Sequence, residues 1–225
     1  MSSTTTSTAQ TSTPSLPTEQ NPYLARAYAT TSLSSTRALY DEWATKYDSD
    51  LPATEYQAPT LAADAIASII GSSLPTSTIL DAGCGTGLVG ALLAGRGAKT
   101  IDGVDLSPGM LDVARKTGAY TELNECDLSQ PMTQSDESYD VIVCVGTLTR
   151  AHVGPEVLSE FVRVVKKGGL MVATVLGDIW VSGGYKARVD ELREGGRVDV
   201  LSCETIGYRV KAGLGAKLVV MRRCE

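Results

Sequence analysis

A chain of 225 residues, 43% of them hydrophobic and 20% charged, sits in the size range of one globular domain and carries enough apolar side chain to bury a core. Its formal net charge is −6 and it has no lysine or arginine cluster able to track a phosphate backbone, so nucleic acid is not an expected partner. Five scattered cysteines, Cys84, Cys126, Cys144, Cys203 and Cys224, form no C-x-x-C pair; no metal site or disulfide framework is expected, and reduced thiols fit a cytoplasmic protein.

Residues 1 to about 21 are mostly Ser and Thr with two prolines, too little apolar surface to offset the entropy of ordering, and they predict a disordered tail. The tail has no apolar run for a signal peptide and no arginine before Arg26, so neither secretion, a mitochondrial presequence nor a membrane anchor is expected. From Tyr23 to about Tyr47 the chain turns amphipathic, with Tyr40, Trp43 and Tyr47 on one helical face. That face either packs on the core or covers a ligand. Ala58 to Ile70 predicts a helix closed by Gly71 and Pro75.

Thr78 to Gly90, TILDAGCGTGLVG, reads as strand, glycine turn and helix. Glycine tolerates positive φ and lets a ligand approach the backbone, while the first N–H groups of the new helix favour polar or anionic groups. Two patterns overlap here. Gly85, Gly87 and Gly90 spell the dinucleotide fingerprint G-x-G-x-x-G with Asp105 about 20 residues on; Asp81, Gly83, Gly85 and Gly87 spell D-x-G-x-G-x-G. A carboxylate at Asp81 would repel a pyrophosphate, which favours a ligand without one.

A second strand ends at Asp105 and Pro108 opens the next helix. In a doubly wound sheet Asp105 lies beside the first glycine turn, where its carboxylate can accept two ribose hydroxyls. A third strand ends at Cys126, before Asp127 and Leu128. Residues 138 to 146, SYDVIVCVG, are apolar and β-branched, as a strand covered on both faces requires. The loop after Val145, which carries Thr149 and the chain's only histidine, His152, then faces the ligand. Pro155 to Lys167 predicts a helix, GLMVATVL a fifth strand, and Trp180 and Tyr185 lie in an irregular loop and short helix at the end of the sheet. The segment from Arg197 to Arg222 reads as two further strands.

The D-x-G-x-G-x-G turn resembles the first motif of the class I S-adenosylmethionine-dependent methyltransferases. The YDxWAxxYD segment around Tyr40, Trp43 and Tyr47, the Asp105-Leu106-Ser107-Pro108-Gly109-Met110 continuation and the stretch from Gly146 to Val175 are similar to the small, single-domain Williams–Beuren-region methyltransferase-like subgroup, over about Tyr40 to Arg222. The resemblance departs at Lys167, where the family usually has proline. It implies a Rossmann-like α/β fold: a doubly wound, seven-stranded, mostly parallel sheet with the last strand antiparallel and helices on both faces, over residues 22–225, with an N-terminal helical lid over about 22–57.

It also implies S-adenosyl-L-methionine as cofactor, held by Tyr47, Asp81, Gly83, Cys84, Gly85, Gly87, Asp105, Leu106, Met110, Cys126, Asp127, Leu128 and Val145. The alternative for Met110 is helix core, and for Asp127 a turn former. The acceptor is expected to be a small molecule with an oxygen or nitrogen nucleophile, walled by Tyr40, Trp43, Thr149, His152, Trp180 and Tyr185; the last two could instead seal the core edge. Imidazole titrates near neutrality, so His152 is the candidate base, against a structural role. A monomer or homodimer is expected. The competing readings are a non-methylating protein of the same fold and, through Gly85, Gly87 and Gly90, a nicotinamide oxidoreductase.

Overall fold

The computed structural model describes residues 21–30, 32–51, 55–150, 153–210 and 213–225; the expected tail, except Asn21, lies outside them. Asn21 caps α1 (Pro22–Ala29) by accepting from the Tyr23 and Leu24 N–H groups, and Ser32 caps α2 (Leu33–Asp50) by accepting from the Ser35 N–H. The amphipathic stretch is therefore two helices. Its Thr/Ser-rich middle supplies a stop and a new start, as residues that bond their own backbone tend to do. α3 (Ala58–Ile70) runs into a single 3₁₀ segment, Gly71–Thr76, and then into the sheet.

Seven strands form one sheet in the order β3 (Glu122–Glu125), β2 (Thr100–Asp105), β1 (Thr78–Ala82), β4 (Tyr139–Leu148), β5 (Val165–Leu176), β7 (Leu214–Arg223), β6 (Val198–Arg209). β7 is antiparallel to both neighbours and the other ladders are parallel, as the resemblance implied. The helices α4 (Leu88–Gly95), α5 (Pro108–Lys116), α6 (Val157–Val164), α7 (Ile179–Ser182) and α8 (Tyr185–Glu194) connect or flank the strands. α3 and α4 bury one face with Ile66, Val89 and Leu93, and α6 and α8 bury the other with Phe161, Val162 and Val189. The chain winds outward from β1 to β3 and then returns to β4 on the other side of β1. That reversal opens a crevice at the carboxyl ends of β1 and β4.

The helix expected to reach Lys167 stops at Val164. The N–H groups of Glu137 and Ser138 donate to the carbonyls of Arg163 and Val164 at 3.0 and 2.8 Å, drawing the β-branched Val164 and Val165 into the ladder. Lys166 then pairs with Asp140 at 2.9 Å, and the two glycines lie within a register shift of β5 rather than at a helix cap.

One side chain ties the glycine turn to the second strand. Tyr120, just before β3, lies against three glycines: a Cβ at Gly87 would stand 3.0 Å from the ring, one at Gly103 2.9 Å, and one at Gly90 would overlap it. The ring passes between them so that its hydroxyl donates to Asp81 at 2.7 Å. Gly90→Ala should therefore force the pinned ring aside and cost about 1–3 kcal/mol, which lowers the melting temperature by roughly 2–10 °C in a domain of this size. Thermal unfolding of Gly90→Ala beside Gly95→Ala, where an added Cβ meets nothing within 4 Å, checks this; equal melting points would show that the ring does not depend on the gap.

Candidate active site

The crevice is a cavity of about 1000 Å³ counted to its open mouth, at the upper end of the range for small-molecule pockets. Its floor is made by four strand ends. Asp81, Gly83, Cys84 and Gly85 come from β1 and the turn after it, Asp105 and Leu106 from β2, Cys126, Asp127 and Leu128 from β3, and Val145 with Thr149 from β4 and its loop. Met110 reaches the wall from α5, and Tyr40 and Tyr47 from α2. These residues were all expected at the site.

Gly87 stands behind the wall; its φ of +92° makes it the left-handed N-cap of α4, and its open side faces Tyr120. Gly85 has a φ of +54° and no atom within 4 Å of where a Cβ would be, so a ligand can lie on this backbone. Gly83 is different: its missing Cβ makes room for Thr147, whose Cγ2 would be 2.9 Å away and whose hydroxyl donates to the Gly83 carbonyl at 3.3 Å.

Asp81 is 1% exposed and does more than face a ligand. Besides accepting from the Tyr120 hydroxyl, it faces the Gly90 N–H in the first turn of α4, which favours its charged form. Burial pushes its carboxyl up to about 7, against the opposing pull of the Tyr120 hydrogen bond. Asp105 accepts from the Gly85 N–H at 2.8 Å and the Ser107 N–H at 2.9 Å, fixing the glycine turn against the end of β2. Burial raises its pKa too, and those backbone donors counter it. The Cys84 thiol is held well above its ordinary value by burial and by the nearby Asp81 and Asp105 charges, so it is not a nucleophile at neutral pH.

α2 roofs the cavity through polar contacts to the same turns. Asp48 accepts from the Thr86 hydroxyl at 2.6 Å, Asp41 from the Ser107 hydroxyl at 2.5 Å and the Gly109 N–H at 3.0 Å, and Arg37 donates to Glu125 at 2.8 Å. Trp43 lies outside the wall, which corrects the expectation that it contacts substrate. Its ring stacks on Tyr23 of α1 with centroids 5.4 Å apart, and its indole N–H donates to Asp50 at 2.7 Å. It orients Tyr47, edge-on at 4.6 Å, rather than touching a ligand.

Trp180 and Tyr185 are corrected likewise. Both are buried in the core beside α6 and α8, away from the cavity wall, because α7 folds back onto β5 and α8 onto β6 and α6. Tyr185 reaches the site only through its hydroxyl, which donates to the carbonyl of the wall residue Val153 at 2.5 Å. His152 lies outside the described residues; Thr149 and Val153 on either side of it both line the cavity. Gly146 and Thr147, in the stretch after Val145 expected to face the ligand, also line it, and so do Tyr56 and Thr86, which were not expected. Of the last two, only Thr86 had a local signal, as the polar residue inside the glycine motif.

A methyltransferase-domain family model matches residues 79–169, the span from β1 into β5 that builds this floor. Methyltransferase-like protein 27 of Homo sapiens is 35% identical over 161 residues, 70% of this chain and 65% of that protein. A malonyl-[acyl-carrier protein] O-methyltransferase of Serratia marcescens is 36% identical over 121 residues, 49% of this chain and 46% of that one. The chain thus spans less than two thirds of the length of either relative. Among solved structures, the [4+2]-cyclase SpnF shares the fold with a TM-score of 0.57 at 18% identity, over 74% of this chain and 81% of that one. With the strand order, the acid-and-glycine turn at the end of β1 and Asp105 at the end of β2, these likenesses make residues 79–169 a methyltransferase domain, of the kind found in the class I S-adenosylmethionine-dependent methyltransferases.

Proposed function

We propose that this protein transfers the methyl group of S-adenosylmethionine to the oxygen or nitrogen of a small-molecule acceptor. The observation that carries the reading is a single cavity with two chemically different ends: a glycine turn with Asp105 and Asp127 on one side, and Tyr40, Tyr47, Tyr56 and the loop after β4 on the other. The first end fits the cofactor. The open backbone at Gly85 leaves room for its amino-acid part, Asp105 still has lone pairs for ribose hydroxyls after its two backbone bonds, and Asp127 with the Leu128 backbone suits an exocyclic amine. Three carboxylates on the wall disfavour a pyrophosphate, and with it the nicotinamide reading.

When bound, the cofactor supplies an already activated methyl group on a sulfonium. The protein's own work is then to hold the acceptor in line, exclude water and, for a hydroxyl or protonated amine, remove a proton. The α2 roof suits the exclusion. His152, carried between the wall residues Thr149 and Val153, is the residue we assign to the proton, in a domain that the Ser/Thr-rich tail precedes and the N-terminal helices cover. Methyl transfer to oxygen is also what the name of the Serratia marcescens relative, a malonyl-[acyl-carrier protein] O-methyltransferase, says of that protein. Cofactor binding without methyl transfer to any acceptor would favour the second reading, a non-methylating use of the fold such as the cyclase named above.

Asp105→Asn tests the cofactor end. Loss of one charge-assisted bond, about 1.5–3 kcal/mol, should weaken S-adenosylhomocysteine binding by at least about tenfold in calorimetry. Tight NAD binding by the unaltered protein would oppose the whole reading.

Asp81 gives a pH signature. Its folded pKa is raised to about 7 from 3.8, so its contribution to stability is present below about pH 4 and is lost as pH rises through about 7. A cationic ammonium at the methionine end would favour the ionised carboxylate and run against that trend. Cofactor affinity should therefore rise from pH 6 to 8, with proton release at pH 6.5 visible as buffer-dependent binding enthalpy. Affinity flat across this range would place the ammonium elsewhere.

His152→Gln should leave cofactor affinity unchanged and lower turnover by roughly 10²–10⁴-fold. Once screening with methyl-labelled cofactor has found an acceptor, superimposable pH–rate profiles for wild type and variant would remove His152 from the mechanism.

A further inference from the structure

The acceptor end of the cavity has a cation set behind its aromatic wall. Arg209, the last residue of β6, is only 4% exposed, and its guanidinium carbon lies 5.4 Å from the Tyr56 ring centroid and 5.6 Å from that of Tyr208. The two rings meet edge to face at 5.1 Å. A backbone bridge joins Tyr56 to Arg209, so the segment before α3 and the end of β6 hold the seat from both sides. This seat abuts the cavity at Gly146, where a Cβ would lie 2.5 Å from the Tyr56 hydroxyl and 3.4 Å from that of Tyr208.

The charge pattern along the cavity is lopsided. The cofactor end carries Asp81, Asp105 and Asp127, and no described lining residue is a lysine or arginine. Arg209 is one ring away from the opposite end. Its field reaches two wall residues, Tyr40 and Tyr56, whose phenols it pulls down against the larger upward push of burial. A guanidinium keeps its charge when buried and matches a carboxylate in shape, and an apolar, aromatic surround lets it be felt at longer range than in water.

We propose that Arg209, seated between Tyr56 and Tyr208, makes this end of the cavity selective for an acceptor that carries a carboxylate. The assignment rests on the methyltransferase reading and adds the acceptor's charge to it. The methyl group would then go to a nucleophile on a small organic acid, with the acid group turned toward the Tyr56 wall and the nucleophile toward the cofactor end. A guanidinium that merely braced β6 against the segment before α3 would be indifferent to the charge of the guest.

Benzoate and benzamide share ring and size and differ in charge, and they serve as probes on the full chain saturated with S-adenosylhomocysteine. Benzoate should bind at least tenfold more tightly than benzamide in calorimetric titration at pH 7.5. Arg209→Gln should bring benzoate down to the benzamide level while leaving benzamide and S-adenosylhomocysteine affinities unchanged; Arg209→Lys should keep part of the preference. Equal binding of the two probes by wild type, no binding of either, or a preference that survives in Arg209→Gln would each overturn the proposal. So would a loss of S-adenosylhomocysteine affinity in Arg209→Gln, which would give the guanidinium to the cofactor's own carboxylate. Should Arg209→Gln fail to fold, the wild-type comparison and Arg209→Lys still decide. Failure of wild type to bind S-adenosylhomocysteine at all would instead bring down the methyltransferase reading, and this proposal with it.

Discussion

A buried carboxylate that must be satisfied organises the site. Asp81 sits at the end of β1, almost out of contact with solvent, where a carboxylate without donors is costly. Its donor is the Tyr120 hydroxyl, 39 residues away in the chain, and the Gly90 N–H in the first turn of α4 also favours its charge. To deliver that hydroxyl, the Tyr120 ring crosses Gly87, Gly90 and Gly103, where no side chain would fit. Strand end, glycine turn, helix start and the approach to β3 are thereby fixed to one another before any ligand is considered. The phenol is a dependable donor, because burial and the Asp81 charge hold it protonated far above neutrality.

The same contact settles the two overlapping glycine patterns. In a dinucleotide fold the third glycine of G-x-G-x-x-G serves close packing of helix on strand. Here Gly90 makes room for an aromatic side chain that answers an acid. Only Gly85 has the open face that a ligand can use, and Gly83 is spent on Thr147. A run of glycines in one turn thus holds positions of three kinds, which spacing alone cannot separate.

Much of the fold was legible because it is local. The β-branched run of β4, the acid-ended strands β1 and β2, and Pro108 at the start of α5 each declare themselves within a few residues, and the cavity floor follows from where those strands end. What was not legible depends on distant partners. Aromatic spacing marked Tyr40, Trp43 and Tyr47 as one face, yet only the placement of α1 shows that Trp43 is the residue turned to Tyr23 while the tyrosines turn to the cavity. Trp180 and Tyr185 were read by their place after β5, but the backward turn of α7 and α8 commits them to the core. Tyr56 and Tyr120 carry no local signal at all, since each acts through a contact with a residue far along the chain. The early end of α6 is a similar case: Lys166, Lys167, Gly168 and Gly169 look like a helix stop, but the ladder to β4 takes hold first.

The roof and the floor share their fastenings. α2 is attached at the glycine turn through Asp48 and Thr86, at the start of α5 through Asp41 with Ser107 and Gly109, and at the end of β3 through Arg37 and Glu125. The last pair is about half exposed and so contributes little, in the range of 0–1 kcal/mol for surface ion pairs. The two aspartates are exposed residues, but their bonds to the Thr86 and Ser107 hydroxyls are partly buried, so they carry more of the attachment. Ser107 is the pivot. Its hydroxyl donates to Asp41 while accepting the Met110 N–H as the cap of α5, and its own N–H donates to Asp105. The residue that positions the Asp105 carboxylate is therefore also the one that holds the roof, and a shift of either is felt by the other.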